Sequence, residues 1–185
     1  MKKILIILLT VSLFSCQNND LKTAFNCEST TSFSDTKEIR DIMKKFKIKF
    51  PSHWKTQLYY DEFQSEIYSA DTTKSLNETY ILDISWHQGE LNLNQAFDQN
   101  VKDTLAIKEK LSPIKSNFIQ FKEKPSYWNL SKGKDGKHTY HFLQVYVKTE
   151  VDEYFTFTTK VFGENNVDER LCESIQISDK IVFIQ

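Results

Sequence analysis

Residues 46–54 read Phe46-Lys47-Ile48-Lys49-Phe50-Pro51-Ser52-His53-Trp54, three apolar side chains alternating with two lysines and then a corner led by proline. A period of two places Phe46, Ile48 and Phe50 on one face of a β-strand and the lysines on the other. Pro51 fixes its own φ and offers no N–H to a ladder, so the strand turns there. Trp54 is then placed to fold its ring over the end of the core. A buried strand of this kind needs partners, and the flanking sequence supplies them.

Downstream, Lys55 to Tyr60 and Phe63 to Ala70 read as two strands joined by a tight turn at Asp61-Glu62, and Thr79 to His87 as a longer one with Tyr80, Leu82, Ile84 and Trp86 on one face. Gly89 breaks it. A helix is predicted from about Leu93 to Leu111, because Leu93, Phe97, Val101 and Leu105 recur every four residues and Ile107 and Leu111 continue that side. Asn92 is its expected cap, with Gln95 completing a capping box, and Asp98 and Lys102 an i,i+4 pair on the outer face. Four strands follow, Ile114 to Phe121, Ser126 to Ser131, His138 to Lys148 and Glu153 to Phe162, with Gly133-Lys134-Asp135-Gly136 as a hairpin turn. A short helix through Val167, Leu171 and Ile175, capped by Asn166 or Asn165, closes the order, and Ile181-Val182-Phe183-Ile184 is apolar enough to dock. Upstream, Thr36 to Lys44 is predicted as a short helix with Ile39, Ile42 and Met43 on one face.

The strand running into a Pro-x-x-Trp corner at Pro51 and Trp54 resembles the opening of PsbP-like domains. The helix after Trp86 and the terminal helix with Ser174 also sit where that family has them, so the likeness covers roughly Lys45 to Ile177. The resemblance implies the Mog1/PsbP-like α/β/α sandwich, a mostly antiparallel β-sheet with helices on both faces. Members of the family serve as a photosystem accessory subunit, a partner of a nuclear transport GTPase and assorted bacterial lipoproteins. They share a scaffold and not a reaction, so the fold does not supply a function.

The amino terminus speaks to location. Met1-Lys2-Lys3 is a positive n-region, and Ile4 to Val11 is an apolar stretch too short to span a bilayer, which takes about 20 residues. Leu13-Phe14-Ser15-Cys16 resembles the lipobox of bacterial lipoproteins, which implies acylation of Cys16, cleavage before it and a domain held outside the cytoplasm in the cell envelope, at the outer membrane. Residues 1–15 are then the signal peptide, 16–35 the lipidated cysteine and a polar, flexible tether that contributes no core face, and 36–185 a single domain. Without Lys2 and Lys3 the chain has 22 basic and 25 acidic residues, a net charge of −3, so attraction to an anionic membrane does not hold it and nucleic acid is excluded as a partner. Cys27 and Cys172 remain, and the sequence leaves a disulfide between them and two free thiols equally open.

Residues that could carry chemistry are sparse. His138 and His141 lie three apart on a predicted strand and face opposite ways, so they do not form a metal site. His87 and Glu90 flank Gly89 and would be the base and partner of a loop active site if the chain were a hydrolase or transferase. No nucleophile elbow, phosphate loop, zinc motif or calcium loop occurs, and the expectation is no catalytic residue, no metal and no cofactor. Asn77-Glu78-Thr79 and Asn129-Leu130-Ser131 fit a glycosylation pattern that a bacterial lipobox makes irrelevant, and Asp103-Thr104-Leu105 resembles a bacterial O-glycosylation sequon. The aromatic share is high at 14%. Tyr127 and Trp128 adjoin on a strand, so one of them is expected to be exposed, with Tyr59 or Tyr60, as a contact surface for a protein or glycan. The function expected is a non-catalytic, membrane-anchored binding or assembly module with a protein partner, the alternative being an immunity-type lipoprotein that neutralises a toxin aimed at the envelope.

Overall fold

The computed structural model describes residues 20–27 and 33–184. In chain order the elements are helix α1 (Leu21–Ala24), strands β1 (Thr36–Arg40), β2 (Phe46–Pro51), β3 (Lys55–Tyr60), β4 (Gln64–Ala70) and β5 (Tyr80–Gln88), helix α2 (Gln95–Lys108), strands β6 (Ser112–Phe121), β7 (Lys124–Asp135), β8 (His138–Lys148) and β9 (Glu153–Phe162), helix α3 (Val167–Ser178) and the short strand β10 (Val182–Phe183). Seven strands form one antiparallel sheet in the order β3-β4-β5-β9-β8-β7-β6, and β1-β2-β10 form a smaller one. The tail thus docks as a strand, Val182 and Phe183 pairing with Lys47 and Phe46.

Phe46, Ile48 and Phe50 of β2 are all buried, as the alternation requires. They meet Leu82, Ile84 and Trp86 of β5, Leu143, Val145 and Val147 of β8, and Leu171 and Ile175 of α3 in the larger apolar core. A smaller core lies on the other face of the large sheet, where Tyr127, Tyr140 and Phe142 meet Val101 and Leu105 of α2. Alternation along β8 lets one strand feed both, odd residues to one side and even residues to the other. Helices therefore cover both faces of an antiparallel sheet. At the corner, the Trp54 N–H donates to the Pro51 carbonyl at 3.0 Å, and the buried indole lies 6.2 Å from Phe50 and 5.2 Å from Tyr80.

Four local expectations are corrected. Thr36 to Arg40 is a strand and not a helix, because Ile39 lies opposite Ile48 in an antiparallel ladder with β2, and a long-range partner outweighs a weak helical spacing. Asp41 closes that hairpin by accepting from the Phe46 N–H at 2.7 Å. The stretch read as a tether does contribute to the core. Asp20 caps α1 through the Thr23 N–H at 2.8 Å, Leu21 is buried, and the Phe25 ring lies 4.8 Å from Trp128. Cys27 and Cys172 are bonded to each other, with Cα atoms 5.4 Å apart, which ties this segment to α3. The cap of α2 is Asn94, whose side chain accepts from the Phe97 N–H at 2.9 Å, and the helix ends at Lys108 with Ile107 exposed. At the carboxyl-terminal helix, Asn166 takes the cap position in the left-handed region, without a side-chain capping bond.

The disulfide links residues 145 apart, so it removes much of the freedom of the unfolded chain. A Cys27→Ala/Cys172→Ala double variant is expected to lose about 2–4 kcal/mol of unfolding free energy in urea melts. An unchanged midpoint would show that the bridge does not limit the unfolded chain in this way.

Candidate functional site

The site begins with what α2 leaves open. This helix packs over β6 and β7, and Asp98 on its first turns fastens it there. The Asp98 Oδ1 accepts from the Ser116 hydroxyl of β6 at 2.8 Å and from the Tyr127 hydroxyl of β7 at 2.7 Å, while Oδ2 accepts from Lys102 Nζ at 2.7 Å. Burial works to raise its pKa, but hydrogen bonds from Lys102, Tyr127 and Ser116 outweigh it and hold the carboxyl below its ordinary value. Asp98 therefore faces the sheet as well as Lys102, where the spacing had placed the pair on the outer face. The Phe97 ring adds edge contacts to Tyr127 at 5.4 Å and Tyr146 at 5.0 Å.

Beyond the reach of α2, the same sheet face carries polar and aromatic side chains in transverse rungs. Strand register puts Gln144, Thr158, Asp83, Tyr68 and Gln57 side by side across β8, β9, β5, β4 and β3. The neighbouring rung is Tyr146, Thr156, Ser85, Glu66 and Tyr59. Phe142 and Lys160 begin a third, with the Lys160 ammonium 5.6 Å from the Phe142 ring centroid and 5.9 Å from that of Tyr140. From these rungs Tyr68, Asp83, Gln144, Thr158, Tyr146, Phe142 and Lys160, together with Asn100, Thr104 and Leu105 of α2 and its cap residue Glu109, line a groove of about 450 Å³. That size and the mix of ring faces with a few polar groups are those of a ligand site.

Charge in the groove is muted. Burial, the nearby Glu66 carboxylate and a hydrogen bond with Glu66 push the Asp83 carboxyl well above its ordinary value, against the smaller pull of Ser85, whose hydroxyl donates at 3.0 Å, and of Lys160. Burial, with Asp83 and Glu66 alongside, pushes the Tyr68 phenol up to about 12. Tyr68 meets Tyr59 edge to face at 6.1 Å, so Tyr59 extends the aromatic rim.

The residues singled out in the sequence fall in different places. Cys16 and the expected signal peptide lie outside the described residues. Tyr59 and Tyr60 are 50% and 65% exposed, but Tyr127 and Trp128 are 0% and 1% exposed, so neither is a contact residue. Both faces of β7 are covered, one by α2 and the other by Phe25 and the larger core, and alternation there separates two interiors. His87 belongs to β5 and not to a loop. Its ring stacks on Tyr154 at 4.8 Å and its Nε2 meets the Thr156 hydroxyl at 2.9 Å, while Glu90 accepts from Asn92. The structure does not bring His87 and Glu90 together, and burial pushes the imidazole down to about 4. Sequence reading missed the groove residues Tyr68, Asp83, Gln144, Thr158 and Lys160. Asp83 stands at the β5 parity opposite the apolar face, and only register aligns it with the other four.

Among solved structures, the chain is similar to the cyanobacterial PsbP (CyanoP) of Synechocystis sp. PCC 6803, with a TM-score of 0.61 and 10% identity over 84% of this chain and 96% of that one. The fold is PsbP-like. The PsbP-like domain is also similar to a protein of Bacteroides thetaiotaomicron VPI-5482, with a TM-score of 0.51 and 13% identity over 80% of this chain and 48% of that one, so it spans about half of that protein. Likeness at such identities extends to fold and not to activity. No protein-family model and no curated protein matches the sequence.

Two half-buried groups, His87 and Asp83, give the domain opposite pH responses. An unfolded histidine takes its proton near 6.5 and the folded His87 only near 4, so between these values the unfolded chain binds more protons and stability falls as pH falls. Urea melts should show the wild type losing on the order of 2–3 kcal/mol across that window relative to His87→Gln. Asp83 keeps its proton when folded after the unfolded carboxyl has lost it, so its contribution falls as pH rises from 3.8 through its raised value. Asp83→Asn should flatten that alkaline limb. Parallel profiles for the wild type and both variants would contradict these placements.

Proposed function

We propose that this chain is a lipid-anchored, extracytoplasmic binding module without catalytic chemistry, whose ligand occupies the groove between α2 and strands β4, β5, β9 and β8. The observation that carries this reading is the polar rung Tyr68, Asp83, Thr158 and Gln144, which lies across an uncovered sheet face beside aromatic rings. An idle sheet face is costly to leave half dry, and these side chains are directed at a concavity rather than dispersed in solvent. A carboxyl held uncharged more readily than usual, the Lys160 ammonium opposed in sign by Glu109, amide and hydroxyl groups, and the rings of Tyr140, Phe142 and Tyr146 suit a hydroxyl-rich ligand without net charge, such as a glycan segment.

The lipobox resemblance at Cys16 supports the anchor, and the Cys27–Cys172 bridge supports an oxidising compartment. Among the described residues no helix is long and apolar enough to cross a membrane. Asp20 follows Cys16 by four residues, a reach of at most about 14 Å, so an acylated Cys16 would hold α1 next to the bilayer. The first helix packs on the α3 side of the large sheet, the face opposite the groove. An anchor there leaves the groove facing away from the lipid.

Two measurements test the reading. Cys16→Ser should abolish labelling by a clickable fatty acid and move the protein out of the membrane fraction; retention after a high-salt wash would show a different anchor. The soluble Cys16→Ser protein should give saturation-transfer NMR signals from sugar-ring protons with at least one envelope oligosaccharide, and a further Thr158→Trp change, which fills the groove, should remove them at an unchanged melting temperature. Binding that survives Thr158→Trp would place the ligand elsewhere.

A further inference from the structure

The two edges of the large sheet differ. β6, at one edge, is blunted by Pro113, by a register irregularity between Pro113 and Lys115, and by α2 packed against it. Such devices keep an edge from pairing with another strand. β3, at the other edge, has none of them. It pairs with β4 in unbroken register from Lys55 to Tyr60, contains no proline, and nearly all of its residues are exposed.

Backbone parity shows what this edge offers. The Asp61 N–H donates to the Gln64 carbonyl at 2.9 Å, so the odd residues of β3 bond to β4 and the even residues Thr56, Leu58 and Tyr60 turn their N–H and C=O groups outward. Leu58 and Tyr60 also carry exposed apolar surface, 39% and 65%.

We propose that β3 pairs antiparallel with β3 of a second copy of this chain about a two-fold axis perpendicular to the sheet, centred on Leu58. In that register Leu58 lies opposite Leu58 of the second copy, Thr56 opposite Tyr60, Gln57 opposite Tyr59, and Lys55 opposite Asp61. The outward N–H and C=O groups of Thr56, Leu58 and Tyr60 are then all used. Shifting the centre to Gln57 sets Lys55 against Tyr59, and shifting it to Tyr59 sets Lys55 against Phe63. Only the Leu58 centre gives two opposed Lys–Asp pairs, and this charge complementarity selects it. An axis perpendicular to the sheet keeps both grooves on one side and both α1 segments on the other, so two acylated amino termini would reach one membrane. The pairing stands on β3 alone and does not depend on what the groove binds. A pair of six-residue strands is smaller than a standard interface, and confinement of both copies to one bilayer raises their effective concentration.

Site-directed cross-linking in vesicles bearing the full-length protein tests this. The sequence has three cysteines, Cys16, Cys27 and Cys172, so with the first acylated and the other two bridged an introduced thiol is the reactive one. Leu58→Cys should cross-link to a dimer under mild oxidation, because facing residues of a hydrogen-bonded pair have Cα atoms about 5.5 Å apart, within disulfide range. Tyr60→Cys, set against Thr56, should remain monomeric. Adding Lys55→Asp to Leu58→Cys should lower the dimer yield at limiting protein density, with about a tenfold weaker association, and adding Asp61→Lys as well should restore it. Equal cross-linking of Leu58→Cys and Tyr60→Cys, a monomer in both, or failure of the charge swap to restore the dimer would overturn the proposal.

Discussion

Three hydrogen bonds converge on the carboxylate of Asp98, from Lys102, Ser116 and Tyr127, and they decide which half of the large sheet is covered. A seven-stranded sheet is wider than one helix of 14 residues can shield. With α2 fastened over β6 and β7, the smaller core closes around Tyr127, Tyr140 and Phe142, and the strands from β9 to β3 keep an open face. On the other side β2, α3 and α1 build the larger apolar core, and Leu58 and Tyr60 of the edge strand stay exposed beyond it. The two faces therefore differ, one carrying the larger core and the other a partly open, polar groove.

Much of this was legible wherever burial on one face imposed alternation. The bounds of β8 and β9 were read as they stand, because every second residue of each meets the larger core, and those of β3 because the Pro51 to Trp54 corner and the Asp61-Glu62 turn delimit it. The Pro51 to Trp54 corner was legible for a covalent reason, the missing N–H of proline. The segments that failed depend on distant partners. β1 is a strand only because β2 is beside it, and Leu21 and Phe25 are isolated apolar residues in a polar stretch whose place against α3 and Trp128 depends on a long-range bridge.

The candidate site was the least legible part, and the reason is geometric. Tyr68, Asp83, Thr158 and Gln144 come from four strands, and their alignment requires the register of three strand pairs. Neither composition nor local spacing contains that information. Conversely, the apparent exposure of Tyr127 or Trp128 assumed that one face of β7 meets solvent, whereas both are interior. His87, the obvious titratable candidate, is occupied by Tyr154 and Thr156 in a strand and has the environment of a packed residue.

The central claim is that the open half-face, and no other surface, receives the ligand. Backbone amide chemical shifts of isotopically labelled soluble protein, recorded during titration with oligosaccharides released from the envelope, test it most directly. The account predicts saturable shifts concentrated at Asp83, Gln144, Thr158 and Lys160 and in the α2 residues Asn100 and Thr104, with α3 unperturbed. Saturable shifts centred on α3, β2 or the Lys45 to Glu153 end of the molecule, with the groove silent, would contradict it.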